Sequence, residues 1–389
     1  MRPATQTVSS PANRRGFTIV ELLIVIVVIG ILAAVVIVAY NGIRARAEDA
    51  SLQSEASQAG KKVLTYKALN SDALPTDATT AGIAAGSGRD VFYRLTPDGK
   101  NFCVAVNITG SPDRAYSFTS TNQASTKGTC QGYILVPGNS ALGTSDFWAM
   151  KYEAKNVNNV ALSQAASTPW VNISQTDAIS TSTAACSGCH LISEAEWMTI
   201  AGNVIGVASN WSGGSVGSGY LFSGHNDNTP ANALAADSND ANSYSGTGNT
   251  SGQTVVTNGV QGNAERRTLT LTNGEVIWDL AGNVFEYSAN TATGGQPGAS
   301  GYAWREWSAV AGTGSLATSP FPSSVYAGAV AWNSAQGLGL LYSNTSETGL
   351  RSLTRSGYWN SGGGAGVFGL SFGDVPSNAL NYIGFRVAR

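Results

Sequence analysis

RRGFTIVELLIVIVVIGILAAVVIVAYNGIRARAEDA, residues 14–50, decides how the chain is built. Residues 22–39 carry no charge, and as a helix they would extend roughly 27 Å at ~1.5 Å per residue, enough to cross a bilayer. Arg14 and Arg15 precede this run, so the positive-inside tendency leaves the C-terminal bulk outside. A signal peptide cut near Ala33-Ala34 is the simpler alternative. Glu21 argues against it, because a carboxylate inside an apolar run is costly and normally has a partner and a task.

Downstream the pattern changes. Leu52, Ala56, Ala59, Val63 and Tyr66 are spaced to fall on one face of a helix that should end near Asn70, ahead of Leu74-Pro75. Two strand-like runs, 91–95 and 102–108, flank Pro97-Asp98-Gly99 and predict a hairpin. Composition shifts at 128–132, the expected boundary between a head at 70–130 and a second domain at 131–389. The stretch 206–262, rich in Ser, Gly, Asn, Asp and Thr but carrying Trp211, Tyr220 and Phe222, is expected to form long structured loops. The expected class is therefore α+β: a long N-terminal transmembrane and amphipathic helix, a small antiparallel sheet, then a loop-rich domain.

Composition narrows the function. The chain has 389 residues, 12% of them charged, 46 glycines and a net charge of −2. Without a basic field it is not expected to bind nucleic acid. Its four cysteines fall into two local pairs, Cys103 with Cys130 and Cys186 with Cys189, which suits an oxidising compartment. Cys186-Ser-Gly-Cys189-His190 also matches the attachment pattern of c-type haem, and a redox pair is a further alternative. A short structural disulfide is the expectation, with no haem. The oxygens of Asn226, Asp227, Asn228, Asp237, Asn239 and Asp240 have no fixed spacing and read as loop chemistry.

The opening stretch resembles the start of a type IV prepilin. That resemblance implies a leader at 1–16, cleavage between Gly16 and Phe17 by a prepilin peptidase, and N-methylation of Phe17. It also implies that Glu21 pairs with the amino group of a neighbouring subunit, two charges in hydrocarbon being far cheaper together than apart. Other pilin subunits are the implied partners, with the cytoplasmic membrane before assembly and a surface pilus after it.

Four later segments carry a second resemblance: DFWAMKYEAKNV from Asp146, HLISEAEWMTIAG from His190, EVIWDLAGNVFEY from Glu275, and the ending YIGFRVAR. They look like the formylglycine-generating-enzyme (sulfatase-modifying factor) fold, a relative of C-type lectins. Independently, Ser193 and Glu196 read as a helix-opening capping box. The family's oxidase chemistry needs cysteines in the C-terminal part, and none follows Cys189; related sulfoxide synthases use three histidines, and the chain has two. No catalysis is therefore expected. The resemblance also implies a calcium site made of the Asp279 and Glu286 carboxylates with the Gly282 and Val284 carbonyls, a hard oxygen set. The alternative is that the two acids pair locally.

The ending RSGYWNSGGGAGVFGLSFGDVPSNALNYIGFRVAR, 355–389, looks like the variable region of a diversity-generating-retroelement target protein. Tyr358, Ser361, Ser371, Gly373, Asp374, Ala379, Leu380 and Tyr382 belong to the set reachable by adenine mutagenesis of Asn-type codons. Trp359, Val367, Phe368, Leu370, Phe372, Pro376, Ile383 and Phe385 have frame character. The implied function is a minor or tip pilin-like subunit that binds an external protein, glycan or phage through Tyr358, Trp359, Asn360, Ser361 and neighbouring positions. The rivals are a pseudopilin of a secretion system and a surface enzyme of the same fold.

Overall fold

A computed structural model describes residues 19–247, 256–257, 260–261, 265–310 and 332–389. Two compact units are present, Met1–Ser51 and Leu52–Arg389. Helix α1, Ile19–Leu69, contributes to both. In the first unit its apolar side chains are open, Leu22 being 60% and Val38 72% exposed. By length and composition this helix could cross a membrane.

In the second unit Leu52, Ala56, Ala59 and Val63 are buried, as their spacing requires. Tyr66 is only half-buried, so the stripe ends one turn before the expected point. The stripe lies on the sheet β1 (Arg89–Leu95), β2 (Phe102–Ile108), β3 (Ser111–Thr119), β4 (Thr126–Lys127), paired in that order and antiparallel. The expected hairpin is present, with Leu95 opposite Phe102 and Gly99 in the left-handed region. Side chains alternate across a strand. Phe102, Val104 and Val106 meet the helix, while Cys103 and Ala105 point into a core with Tyr133, Trp148 and Phe385. Cover on both faces explains why FCVAV is apolar without interruption. It also explains why 128–132 marks a change of sheet inside one compact unit, Leu52–Arg389, and no break in packing.

Beyond it, β5 (Tyr133–Val136), β6 (Phe147–Met150) and β9 (His190–Leu191) form a sheet completed by the terminal strand β20 (Val387–Ala388), which lies between β6 and β9. A hairpin, β7 (Ala154–Val157) with β8 (Val160–Ser163), precedes helix α2 (Gln175–Ala185). Helix α3 (Glu194–Ile205) opens on the expected capping box and buries Trp197, Met198, Ile200 and Val204. Short antiparallel pairs follow, β10 (Val256–Thr257) with β11 (Val260–Gln261) and β12 (Thr268–Thr270) with β13 (Val276–Trp278). The largest sheet has six strands in the order β15 (Ala303–Arg305), β16 (Leu341–Ser343), β18 (Leu370–Ser371), β17 (Leu350–Arg355), β14 (Phe285–Thr293), β19 (Ile383–Phe385). It is mixed, β14 with β19 and β16 with β18 being parallel. The architecture is α+β, as expected. The loop stretch after 206 is anchored by buried Trp211, whose indole donates to the Ile205 carbonyl at 2.9 Å.

Candidate functional site

Between β17 and β20 the chain has little regular structure, yet its backbone is held by the scaffold. Asn228 N–H donates to the Trp359 carbonyl (2.5 Å) and Gly362 N–H to the Asn226 carbonyl (2.9 Å). Ser352 N–H donates to Asp374 O, Gln175 N–H to Pro376 O, Asn172 N–H to Leu380 O and Phe285 N–H to Tyr382 O, all at 2.9–3.0 Å. These partners are backbone groups, so these ties to the scaffold do not depend on which side chains the segment carries, although Ser361 Oγ also accepts from Tyr358 N–H (2.9 Å) within it. Beneath it Val367, Phe368, Leu370, Phe372, Ile383 and Phe385 are fully buried. The frame residues expected from the sequence therefore form the frame, except that Pro376 is only half-buried.

Of the positions expected to face outward, Asn360 and Ala379 are exposed, and Tyr358, Ser361, Gly373, Asp374, Leu380 and Tyr382 are half-buried. Two depart from expectation. Ser371 is buried because it lies in β18 opposite both Tyr342 and Thr354, where its hydroxyl accepts from Gly373 N–H at 3.1 Å. Trp359, expected both as frame and as a ligand contact, is 7% exposed and packs with Ala233 and Val284, which fits the frame and not the contact.

The fold brings the half-buried tyrosines into a continuous aromatic run. Tyr358 stacks on Phe285 (5.4 Å between ring centroids) and meets Tyr382 (4.9 Å); Phe285 stacks parallel to Trp304 (6.4 Å). Trp304 meets its cross-strand partner Tyr342 (4.9 Å), which stacks on Tyr302 (5.2 Å). Trp304 is 41% exposed. At the Tyr342 end, a Cβ added to Gly373 would come 3.1 Å from that ring. Burial, and then the Asp374 carboxylate, pushes the Tyr382 phenol up, so it stays a neutral donor at ordinary pH. A neutral aromatic strip bordered by small polar positions suits contact with planar or apolar groups, adjustable by hydrogen bonds. Sequence reasoning found Tyr358 and Tyr382 but missed Phe285, Trp304 and Tyr342, which lie on β14, β15 and β16, and Tyr302 just ahead of β15. Their only signal was aromatics recurring in polar surroundings, as in GYAWREW.

The calcium set is corrected. The Arg267 guanidinium donates to both Asp279 oxygens (2.7 Å each), and that of Arg386 to both Glu286 oxygens (2.7 and 3.1 Å), all four side chains buried. The Gly282 carbonyl accepts from Ser356 Oγ at 3.2 Å. Val284, the fourth expected ligand, is fully buried in the cluster with Trp359 and Ala233. Two carboxylates each engaged by a bidentate guanidinium do not fit a hard divalent cation. The local-pairing alternative is what the structure has. A third buried pair joins Arg355 to Glu194.

Both expected disulfides are formed, Cys103–Cys130 and Cys186–Cys189. The second leaves neither sulfur for a thioether, and His190 is engaged with Glu196, Nε2 to Oε1 at 2.8 Å. Gly16 and Phe17 lie outside the described residues. Glu21 belongs to α1, but its side chain is likewise outside what is described.

Residues 11–37 match the prokaryotic N-terminal methylation motif. Over 100 residues the chain is 36% identical to a fimbrial protein of Neisseria meningitidis serogroup A, covering 25% of this chain and 57% of that one. It is 43% identical over 76 residues to the type IV major pilin protein PilE of Neisseria gonorrhoeae, 19% of this chain and 44% of that one. The chain thus spans about half the length of the curated relatives it matches. Among solved structures, the Major Tropism Determinant I1 variant aligns with a TM-score of 0.31 and 15% identity over 66% of this chain and 52% of that one. The U1 variant aligns at 0.27 and 14%, over 68% and 51%. The amino-terminal region of this chain carries the N-terminal methylation motif and is similar to type IV pilins.

Proposed function

We propose that this chain is a type IV pilin-like subunit, minor or at the filament tip, that displays a non-catalytic binding surface at the cell exterior. The amino-terminal segment would be cut between Gly16 and Phe17, held in the cytoplasmic membrane, and then assembled with other pilin subunits through Glu21. Binding belongs to residues 358–382 and the aromatic run they join, on a domain of the formylglycine-generating-enzyme and C-type-lectin kind. One observation carries this reading: the segment is tied to the scaffold by backbone hydrogen bonds and a buried frame, while side chains such as Asn360 and Ala379 stand outside it. Such a surface can change its chemistry without changing its fold, which is what diversification by a retroelement template would demand.

The test is deep sequencing of codons 355–389 across a cell population, with a search of flanking DNA for a near-identical copy richer in adenine. Substitutions concentrated at Tyr358, Asn360, Ser361, Gly373, Asp374, Ala379, Leu380 and Tyr382 support a diversified binder. An invariant segment with no such copy leaves a fixed-specificity adhesin and removes diversification.

A further inference from the structure

The turn 225–228 and Glu265 hold a second constellation, on the scaffold side of the segment just described. His225 and Glu265 are fully buried, and Asp227 is half-buried. His225 Nδ1 lies 3.7 Å from Glu265 Oε1 and 3.8 Å from Asp227 Oδ1, too far for hydrogen bonds. One ligand atom from each of the three falls within 4.8 Å of the others. Nδ1 has no hydrogen-bond partner, and neither has Glu265 Oε2. The opposite ring nitrogen is committed: His225 Nε2 donates to the Pro230 carbonyl at 2.8 Å, which leaves Nδ1 as the nitrogen that faces the two carboxylates. Metal-binding histidines are characteristically oriented in this way.

Charge points the same way. Glu265 Oε1 accepts from the Asn226 and Asp227 amides (2.9 and 3.1 Å), which fixes the carboxylate without neutralising it. Arg267 is the nearby cation, but its guanidinium spans Asp279 and donates to the Ala235 and Ser245 carbonyls. Four-coordinate ligand atoms at about 2.1 Å from a zinc-type ion stand about 3.4 Å apart, so separations of 3.7 and 3.8 Å need only a small contraction.

We propose that His225 Nδ1 and the Asp227 and Glu265 carboxylates bind one divalent first-row transition-metal cation. One imidazole with carboxylate oxygens suits Zn²⁺, Co²⁺ or Mn²⁺ better than Ca²⁺, which takes oxygen alone. Asp227, the half-buried member, gives the ion its way in. Because Asn226 and Asn228 hold Gly362 and Trp359, the ion braces the turn that supports residues 358–362. The bearing on ligand binding rests on the display surface proposed above, whereas metal uptake does not, so the two can fail separately.

The test uses the full chain in detergent, stripped with EDTA and returned to metal-free buffer, with Zn²⁺ and Co²⁺ as probes. Elemental analysis after gel filtration should find about one ion per chain, the thermal midpoint should rise on metal addition, and Co²⁺ should give visible d–d bands of a nitrogen-oxygen site. Asp227→Asn should weaken uptake at least about tenfold, the loss that even an outer partner of a ligand causes, with an unchanged far-ultraviolet spectrum. Should His225→Gln fail to fold, Asp227→Asn, at a half-buried position, still decides. A wild-type chain that retains no Zn²⁺, Co²⁺ or Mn²⁺ and shows no midpoint shift overturns the site. So does equal uptake by wild type and both variants.

Discussion

Arg267, Arg355 and Arg386 are fully buried, each against one carboxylate, and these pairs divide tolerated from forbidden changes inside the domain. Removing one partner strands the other charge away from water, at a cost of about 3–5 kcal/mol. Arg267→Met should therefore lower the unfolding free energy of the full chain by that amount in denaturant titration, and Asp279→Asn in the same chain should recover part of it. A loss under about 1 kcal/mol would mean that Asp279 finds water or another cation. The C-terminal segment makes a second contrast at this scale. Ser371→Tyr forces a phenol into a filled strand position and should destabilise by about 1–3 kcal/mol. Asn360→Tyr, at an exposed position, should stay within about 0.5 kcal/mol. Equal effects in thermal melts would undo the division between frame and display. Both residues belong to the same polar, Gly-rich stretch, so composition alone could not separate them. The pairing of β18 with β16 and β17, which buries Ser371, comes from strands far away in sequence.

At the scale of elements, local signals were legible and long-range ones were not. The helix stripe from Leu52 to Val63, the hairpin about Gly99 and the Ser193–Glu196 capping box each depend on neighbours within a few residues, and each formed where expected. The calcium set failed for the opposite reason: Arg267 and Arg386 reach Asp279 and Glu286 from 12 and 100 residues away. The start of α3 supplies a pH prediction. Hydrogen bonding to Glu196 raises the His190 imidazole above its ordinary value, with burial working against it. Glu196, although burial pushes its carboxyl up, is held below its ordinary value by His190 and Ser193. A raised histidine contributes fully below its ordinary pKa and loses that contribution as pH rises through the raised one. A lowered carboxylate contributes above its ordinary pKa and loses it as pH falls. The pair is thus worth most between about pH 4.3 and 6.5, the two ordinary values. His190→Gln should flatten the decline in thermal midpoint between about pH 6 and 8, the range in which a histidine gives up its charge. Parallel curves for wild type and variant would remove the pair as a source of pH dependence.

For the whole molecule, the two ends of the chain serve separate ends of the proposed role. Glu21→Ala should leave membrane insertion intact while reducing the subunit recovered in sheared filaments; normal recovery would remove the pairing role. At the other terminus, β20 fills the slot between β6 and β9, with Ala388 opposite both Ala149 and His190. Deleting residues 386–389 removes that strand and the Arg386–Glu286 pair together, so the truncated chain should lose its cooperative unfolding transition in calorimetry. A normal transition would show that β5, β6 and β9 close without it. The placement of β20 also bears on the diversification proposed for residues 358–382. The codons for 358–382 lie upstream of those for β19 and β20, so an insertion or deletion that shifts the reading frame garbles the strands that complete two sheets. If the truncated chain does lose its transition, such a frameshifted chain would fail to fold before it could be displayed. On that proposal β20 would act as a check on the message, passing substitutions at exposed positions and stopping frameshifts.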